Sequence, residues 1–319
     1  MNPLTEHARQ DAGLTISLVT CSFSGDLDIC KLLCESVNRF VSADIPHILY
    51  VPAQDMHLFQ PLASVRRLIR TQESLLPRWF FKLPMPGPHW RKRLHLPRRN
   101  IYLTPWSLPV RGWIAQQIMK IAATLLSSTQ VVVHVDSDNA FIRPLDRRQI
   151  VQDGLVRLYR NPQMVPQQGH RVWHASAGRL LGLEHRNYYD GEYIDQLVVW
   201  RRDVAAAMTG KIAEIARVDW RIALARSRQF AEYILYGVYA DKVRGLDAAG
   251  LFATDQSLCL SRWSGAIENQ ADENAFLQSI KPHHVACLIQ STIAMPFDLR
   301  RQVFEQAVSV AAHQDKSGW

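Results

Sequence analysis

Asp136 and Asp138 stand one residue apart, directly after Val131-Val132-Val133-His134-Val135. Carboxylates at the end of a β-branched apolar run are costly unless something positive lies between them. A divalent cation holding a diphosphate is the natural candidate, since such cations take carboxylate and phosphate oxygens as ligands. In an extended segment the two side chains point the same way and can address one cation. The competing structural reading is an Asp turn or helix cap.

The apolar run reads as a buried strand of a parallel sheet. The carboxylates then sit at its C-terminal end, where open α/β sheets bind their ligands. Residues 15–20 read as a first strand, residues 21–26 as a turn, and Leu27, Cys30, Leu33, Cys34 and Val37 as one face of a helix. Residues 47–52 read as a second strand stopped by Pro52, and residues 58–76 as mostly helical. A Pro-rich basic excursion spans 77–97, and Ile101-Tyr102-Leu103 reads as a short strand. Residues 111–128 are predicted as a helix, with Ile114, Ile118, Ile121 and Leu125 as its buried stripe. Trp113, Gln117, Lys120 and Thr124 recur on another face. The second half is more mixed: residues 171–181 carry a strand or loop into a helix, and 193–200 are β-rich. Helices are expected at 204–216, 229–240 and 297–313, and a late strand at 284–289.

This alternation predicts an α/β fold whose mostly parallel sheet is flanked by helices. No Gly-x-Gly-x-x-Gly follows the first strand and no Gly-x-x-x-x-Gly-Lys-Ser/Thr occurs, so a dinucleotide or P-loop site has no support. Without repeats or a low-complexity linker, the 319 residues read as one continuous unit.

Composition is that of a globular protein, 47% hydrophobic and 21% charged. No apolar run approaches the roughly 18 residues that cross a bilayer. The polar, mixed-charge start, residues 1–13, does not read as a secretory leader. Cys21, Cys30, Cys34, Cys259 and Cys287 lack metal-ligand spacing and read as buried, reduced thiols of a cytoplasmic protein. The net charge of +8 is unevenly placed, since Ser74 to Val135 contains nine Lys or Arg and no Asp or Glu. Residues 89–99 form its densest part, read either as a solvated loop or as a flap facing a phosphorylated substrate or an anionic membrane. No nucleic-acid-binding motif accompanies it.

Hydrophobic strand, Asp-Ser-Asp, then Phe141-Ile142-Arg143-Pro144 resembles the metal-binding signature of GT-A-type glycosyltransferases. Residues 112–120 and 230–237 extend the likeness to a poorly characterised bacterial glycosyltransferase-like family. The resemblance implies a GT-A-like, Rossmann-type fold over 1–319, with a nucleotide-sugar-binding half, 1–145, and a mixed acceptor-binding half, 146–319. It implies Mn2+ or Mg2+ on Asp136 and Asp138, holding the diphosphate of a nucleotide-sugar such as a UDP-sugar, with a surface glycan or lipid-linked acceptor. A late histidine often supplies a third ligand in such enzymes, which makes His283 and His284 candidates. Both also read as histidines satisfied within a turn. A cytoplasmic enzyme, peripheral at the inner membrane, would fit these substrates.

Charge on the departing diphosphate calls for a Lewis acid and basic side chains. Lys120 and Arg111 are candidates for the latter. Trp113 is a candidate for stacking on a base or sugar, or else a core residue. Thr20 and Gln117 complete the expected donor-binding set with Asp136. Glu232 is the candidate base, sharing a helix face with Tyr236 and Tyr239, where aromatic surroundings would raise its pKa. Its alternative is an exposed glutamate. Asp195 and Gln196 are further candidates for sugar contact, and His134 reads as structural.

Two other classes compete. Haloacid-dehalogenase-type phosphatases place Asp-x-Asp after a hydrophobic strand, but near the chain start and with Thr or Val where this chain has Ala140. A non-catalytic basic module binding polyanions leaves the two carboxylates unexplained.

Overall fold

The computed structural model describes residues 13–84, Arg93 and residues 100–316. The leader reading of the N-terminus lies outside these residues, as does the basic segment 89–99 apart from Arg93. Strands β1 (Ile16–Cys21), β2 (His47–Val51) and β3 (Arg67–Thr71) open the fold. A small antiparallel sheet follows, of β4 (Phe81–Lys82), β5 (Ile101–Leu103) and β6 (Val110–Arg111). Then come β7 (Val131–His134), β8 (Asn139–Phe141), β9 (Val151–Gln152), β10 (Leu155–Tyr159) and β11 (Val198–Arg201). Strands β12 (Leu251–Thr254), β13 (Cys259–Arg262) and β14 (Ala286–Ile289) complete the set. Among the helices are α1 (Leu27–Phe40), α2 (Gly112–Leu125), α3 (Gln168–Leu181), α4 (Arg202–Ala216), α5 (Trp220–Arg226), α6 (Glu232–Val238) and α7 (Phe297–Lys316).

The central sheet has the order β11-β7-β1-β2-β3. Its β1, β2, β3 and β7 are parallel, and β11 runs antiparallel to β7. The mixed α/β class and the mostly parallel sheet expected from the sequence are present. Chain order reverses beside β1: β2 and β3 lie on one side of it and β7 on the other. The C-terminal ends of β1 and β7 therefore flank a topological switch point.

Burial explains the strand sequences. Every residue of β1, β2 and β7 is buried, which suits the continuous apolar run Val131-Val132-Val133. Helix α2 is buried more completely than its stripe predicts. Ile114, Ile118 and Ile121 are buried, but so are Gln117, Lys120 and Thr124 on the second face, while Leu125 is only partly covered.

The helix expected over 58–76 is not formed. Short helical turns occupy Met56–Phe59, Gln60–Leu62 and Gln72–Leu75, and between the last two β3 pairs with β2 in register His47 to Arg67 through Val51 to Thr71. Arg67 anchors this edge strand, donating to His47 Nδ1 at 3.1 Å, Cys34 O at 2.8 Å and Asn38 Oδ1 at 2.9 Å. Tertiary pairing thus overrides a spacing that mimics a helix.

Candidate functional site

The Asp136–Asn139 segment is a tight turn rather than an extended run. The Asn139 amide and its side-chain nitrogen both donate to Asp136 O, at 3.2 and 3.0 Å. This turn carries the chain from β7 into β8, which pairs antiparallel with β14. It sends the two carboxylates to different partners. Asp136 Oδ1 lies 2.9 Å from Lys120 Nζ. Asp138 Oδ2 accepts from the Ser291 amide at 2.8 Å, just beyond β14.

Lys120 reaches Asp136 from the middle of α2. Its ammonium also donates to Tyr233 Oη at 2.7 Å and lies 3.3 Å from Glu232 Oε1. The three partners match the three protons of an ammonium. Burial alone would favour the neutral amine, but Asp136, Tyr233 and Glu232 outweigh it and raise the Lys120 pKa well above its ordinary value. Glu232 is raised by burial, an effect Lys120 only partly offsets. Of this cluster Asp136 is the member open to solvent, its side chain 30% exposed.

Asp26, in the loop after β1, accepts from Ser137 Oγ at 3.2 Å. Burial raises its pKa, and Asp136 adds to the rise. Burial, with Asp136 second, pushes Asp138 up to about 6. Arg300, buried on α7, supplies positive charge to both Asp138 and Asp26. It is held by the carbonyls of Ile289, Gln290 and Ile293. Among the described residues, Lys120 and Arg300 therefore answer four carboxyl groups: Asp26, Asp136, Asp138 and Glu232. The imbalance favours a bound cation.

Among the described residues, no three or more His, Cys, Asp or Glu side chains converge as a metal cage. In donor chemistry alone, Asp136 and Asp138 are the oxygen ligands a Mg2+-type site uses, which takes one or two carboxylates and its other ligands from phosphate and water.

The other sequence candidates are placed as follows. His283 and His284 precede the N-terminal end of β14, whereas Ser291, the Asp138 partner, follows its C-terminal end. His284 Nδ1 accepts from the Lys281 amide at 3.1 Å. At about 3.3 Å per residue the length of β14 separates these histidines from Asp138, so they do not join it as ligands. Thr20 is fully buried and engaged with His47 Nε2 at 3.0 Å, which removes it from a donor site. Gln117 Oε1 accepts from the Glu232 amide at 2.8 Å and so fixes the start of α6. Its buried Nε2 has no hydrogen-bond partner among the described residues.

Arg111 is exposed at the start of α2, nine residues from Lys120, and does not converge with it. Trp113 is 38% exposed and packs on Trp173 at 5.4 Å. Trp173 in turn stacks on His170, whose Nδ1 meets Glu192 Oε2 at 2.7 Å. Glu232 is only 5% exposed, behind Lys120. That geometry suits it to hold the lysine, not to meet an acceptor hydroxyl. Tyr236, expected beside it, instead accepts from the Arg201 amide and stacks on Trp200.

His134 is structural: its ring packs edge-on against Trp200 at 4.8 Å, and Nε2 meets Thr124 Oγ1 at 2.9 Å. Gln196 Oε1 accepts from Asn139 Nδ2 at 3.1 Å, which ties the segment before β11 to the motif turn. Asp195 accepts from Ser257 Oγ at 2.6 Å, and burial pushes its carboxyl up to about 7.

Asp26, Tyr233, Ser291 and Arg300 were not singled out in the sequence. Asp26 had a usable signal, being an acid just past the C-terminal end of a parallel strand. Arg300 had another: it shares an i, i+3/i+4 stripe with buried Val303, Phe304, Ala307 and Ala311.

The chain belongs to DUF6492, a family of unknown function, whose profile matches residues 10–306. No curated protein matches it.

Proposed function

We propose that the chain is a metal-dependent glycosyltransferase of GT-A-like architecture, moving a sugar from a nucleotide-diphospho-sugar to a surface-glycan or lipid-linked acceptor. The observation that carries this is the position of Asp136 and Asp138, at the sheet edge where β1 and β7 flank the switch point, in a site with more carboxyl groups than cations.

Asp136 and Asp138 would hold Mn2+ or Mg2+. The ion, once bound, supplies Lewis-acid stabilisation of charge on the leaving diphosphate. Lys120 holds the Asp136 carboxylate in place through their 2.9 Å ion pair. Glu232 and Tyr233 keep Lys120 in place, which makes them positioning residues. Arg300 limits the repulsion between Asp26 and Asp138. A UDP-sugar is the donor we favour.

Among the described residues no helix is long and apolar enough to cross a membrane. All five cysteines are buried and unbridged, which supports a reducing, cytoplasmic setting. Thermal unfolding with a panel of nucleotide-sugars tests the proposal. One donor should raise the midpoint in the presence of Mn2+ and not in EDTA; a panel with no metal-dependent shift would overturn it.

A further inference from the structure

A groove of about 610 Å3 opens at the N-terminal end of α2. One wall is the β5–β6 loop, with Trp106, Leu108 and Pro109. The other is the connection from α5 to α6, with Arg226 and Arg228, and Arg111 lies at the base of α2. Among the described residues its lining contains three arginines and no acidic residue. Trp106 is 46% and Leu108 63% exposed. Arg226 Nε donates to Trp106 O at 3.0 Å, tying the two walls together.

The groove is separate from the candidate site and shares no lining residue with it. Its two walls lead into α2 and α6, the helices that carry Lys120 and Glu232. At 1.5 Å per residue, Arg111 stands about 13 Å along α2 from Lys120. The helix runs from the groove back past Asp136, so the groove lies beyond the carboxylate edge.

Guanidinium groups bind phosphate oxygens bidentately, and three of them without a countercharge favour an anion. The exposed indole and leucine beside them favour an apolar neighbour on the same molecule. Volumes of this size accommodate small organic ligands.

We infer that this groove binds a phosphate monoester or diphosphate joined to an apolar chain, and that it is the acceptor subsite. Calling the ligand an acceptor rests on the proposed glycosyl transfer; the binding itself does not.

Farnesyl phosphate, titrated into the full chain by calorimetry at low salt, is the probe, with inorganic phosphate and farnesol as comparisons. Farnesyl phosphate should bind once per chain, at least tenfold more tightly than either comparison. Arg111→Gln combined with Arg228→Gln should weaken it tenfold or more, with the circular dichroism spectrum unchanged. Equal affinity in the double variant, or inorganic phosphate or farnesol binding as tightly as farnesyl phosphate, would overturn the assignment. Arginine-dependent capture by phosphatidylglycerol vesicles without binding of soluble farnesyl phosphate would overturn it in favour of a membrane-docking face. Asp138→Asn should leave farnesyl phosphate binding intact, so failure at the metal site and failure at the groove are read separately.

Discussion

Lys120 Nζ meets Asp136 Oδ1 at 2.9 Å, joining the middle of α2 to the end of β7. Glu232 Oε1 holds the same ammonium from the buried side at 3.3 Å. The exposed carboxylate of the motif is thus backed by a charge that is itself fixed from behind.

Removing that charge should be expensive. Lys120→Met leaves Glu232 buried without its partner, and losing one member of a buried pair costs about 3–5 kcal/mol. Urea unfolding should show a loss of that order. Adding Glu232→Gln to Lys120→Met should recover part of it, because the stranded charge is then gone. A single variant as stable as the parent would contradict the buried cluster.

The Asp138 carboxyl, pushed up to about 6 by burial and by Asp136, must lose its proton to bind metal. Mn2+ affinity should therefore be nearly constant above neutrality and fall as pH drops through 6, by about tenfold per unit for one displaced proton. Calorimetric titration at pH 7.5 and pH 5 checks this. Equal affinities would remove Asp138 from the ligand set.

Much of this was legible in the sequence, and the exceptions have physical causes. The valine run and the helix before it were readable because β7 is buried throughout and α2 is buried from Ile114 to Thr124 apart from Gln116. Strand β3 was not, because Arg67 is fixed by long-range partners that no local pattern displays. The Asp-Ser-Asp segment was read as extended ahead of the competing Asp turn, and the Asn139 side chain that closes the turn on Asp136 O is visible only in the fold. Lys120 was found, but its neighbour Tyr233 and the Asp138 neighbour Arg300 depend on the tertiary approach of α6 and α7.

Asp195 offers a test of burial that is independent of metal. Its folded pKa of about 7 lies above the ordinary 3.8. A raised carboxyl stabilises the fold fully below its unfolded pKa, and that contribution is lost as pH rises through the folded value. Asp195→Asn keeps an oxygen for the Ser257 hydroxyl. Its stability relative to the parent should improve between pH 4 and pH 8, by about 2–4 kcal/mol. A difference that stays flat with pH would place this carboxyl in contact with water.

His283→Ala and His284→Ala should each leave metal-dependent nucleotide binding within about twofold of the parent, because the length of β14 separates them from Asp138. Loss of binding in either would bring a histidine back to the metal.

The central claim is that Asp136 and Asp138 hold a metal–diphosphate. Calorimetric titration of UDP in the presence of Mn2+, on the parent, Asp136→Asn and Asp138→Asn, tests it most directly. The parent should bind only with Mn2+, and each variant should lose that binding by tenfold or more while keeping its fold. Metal-independent binding in the parent, or unchanged affinity in both variants, would contradict it.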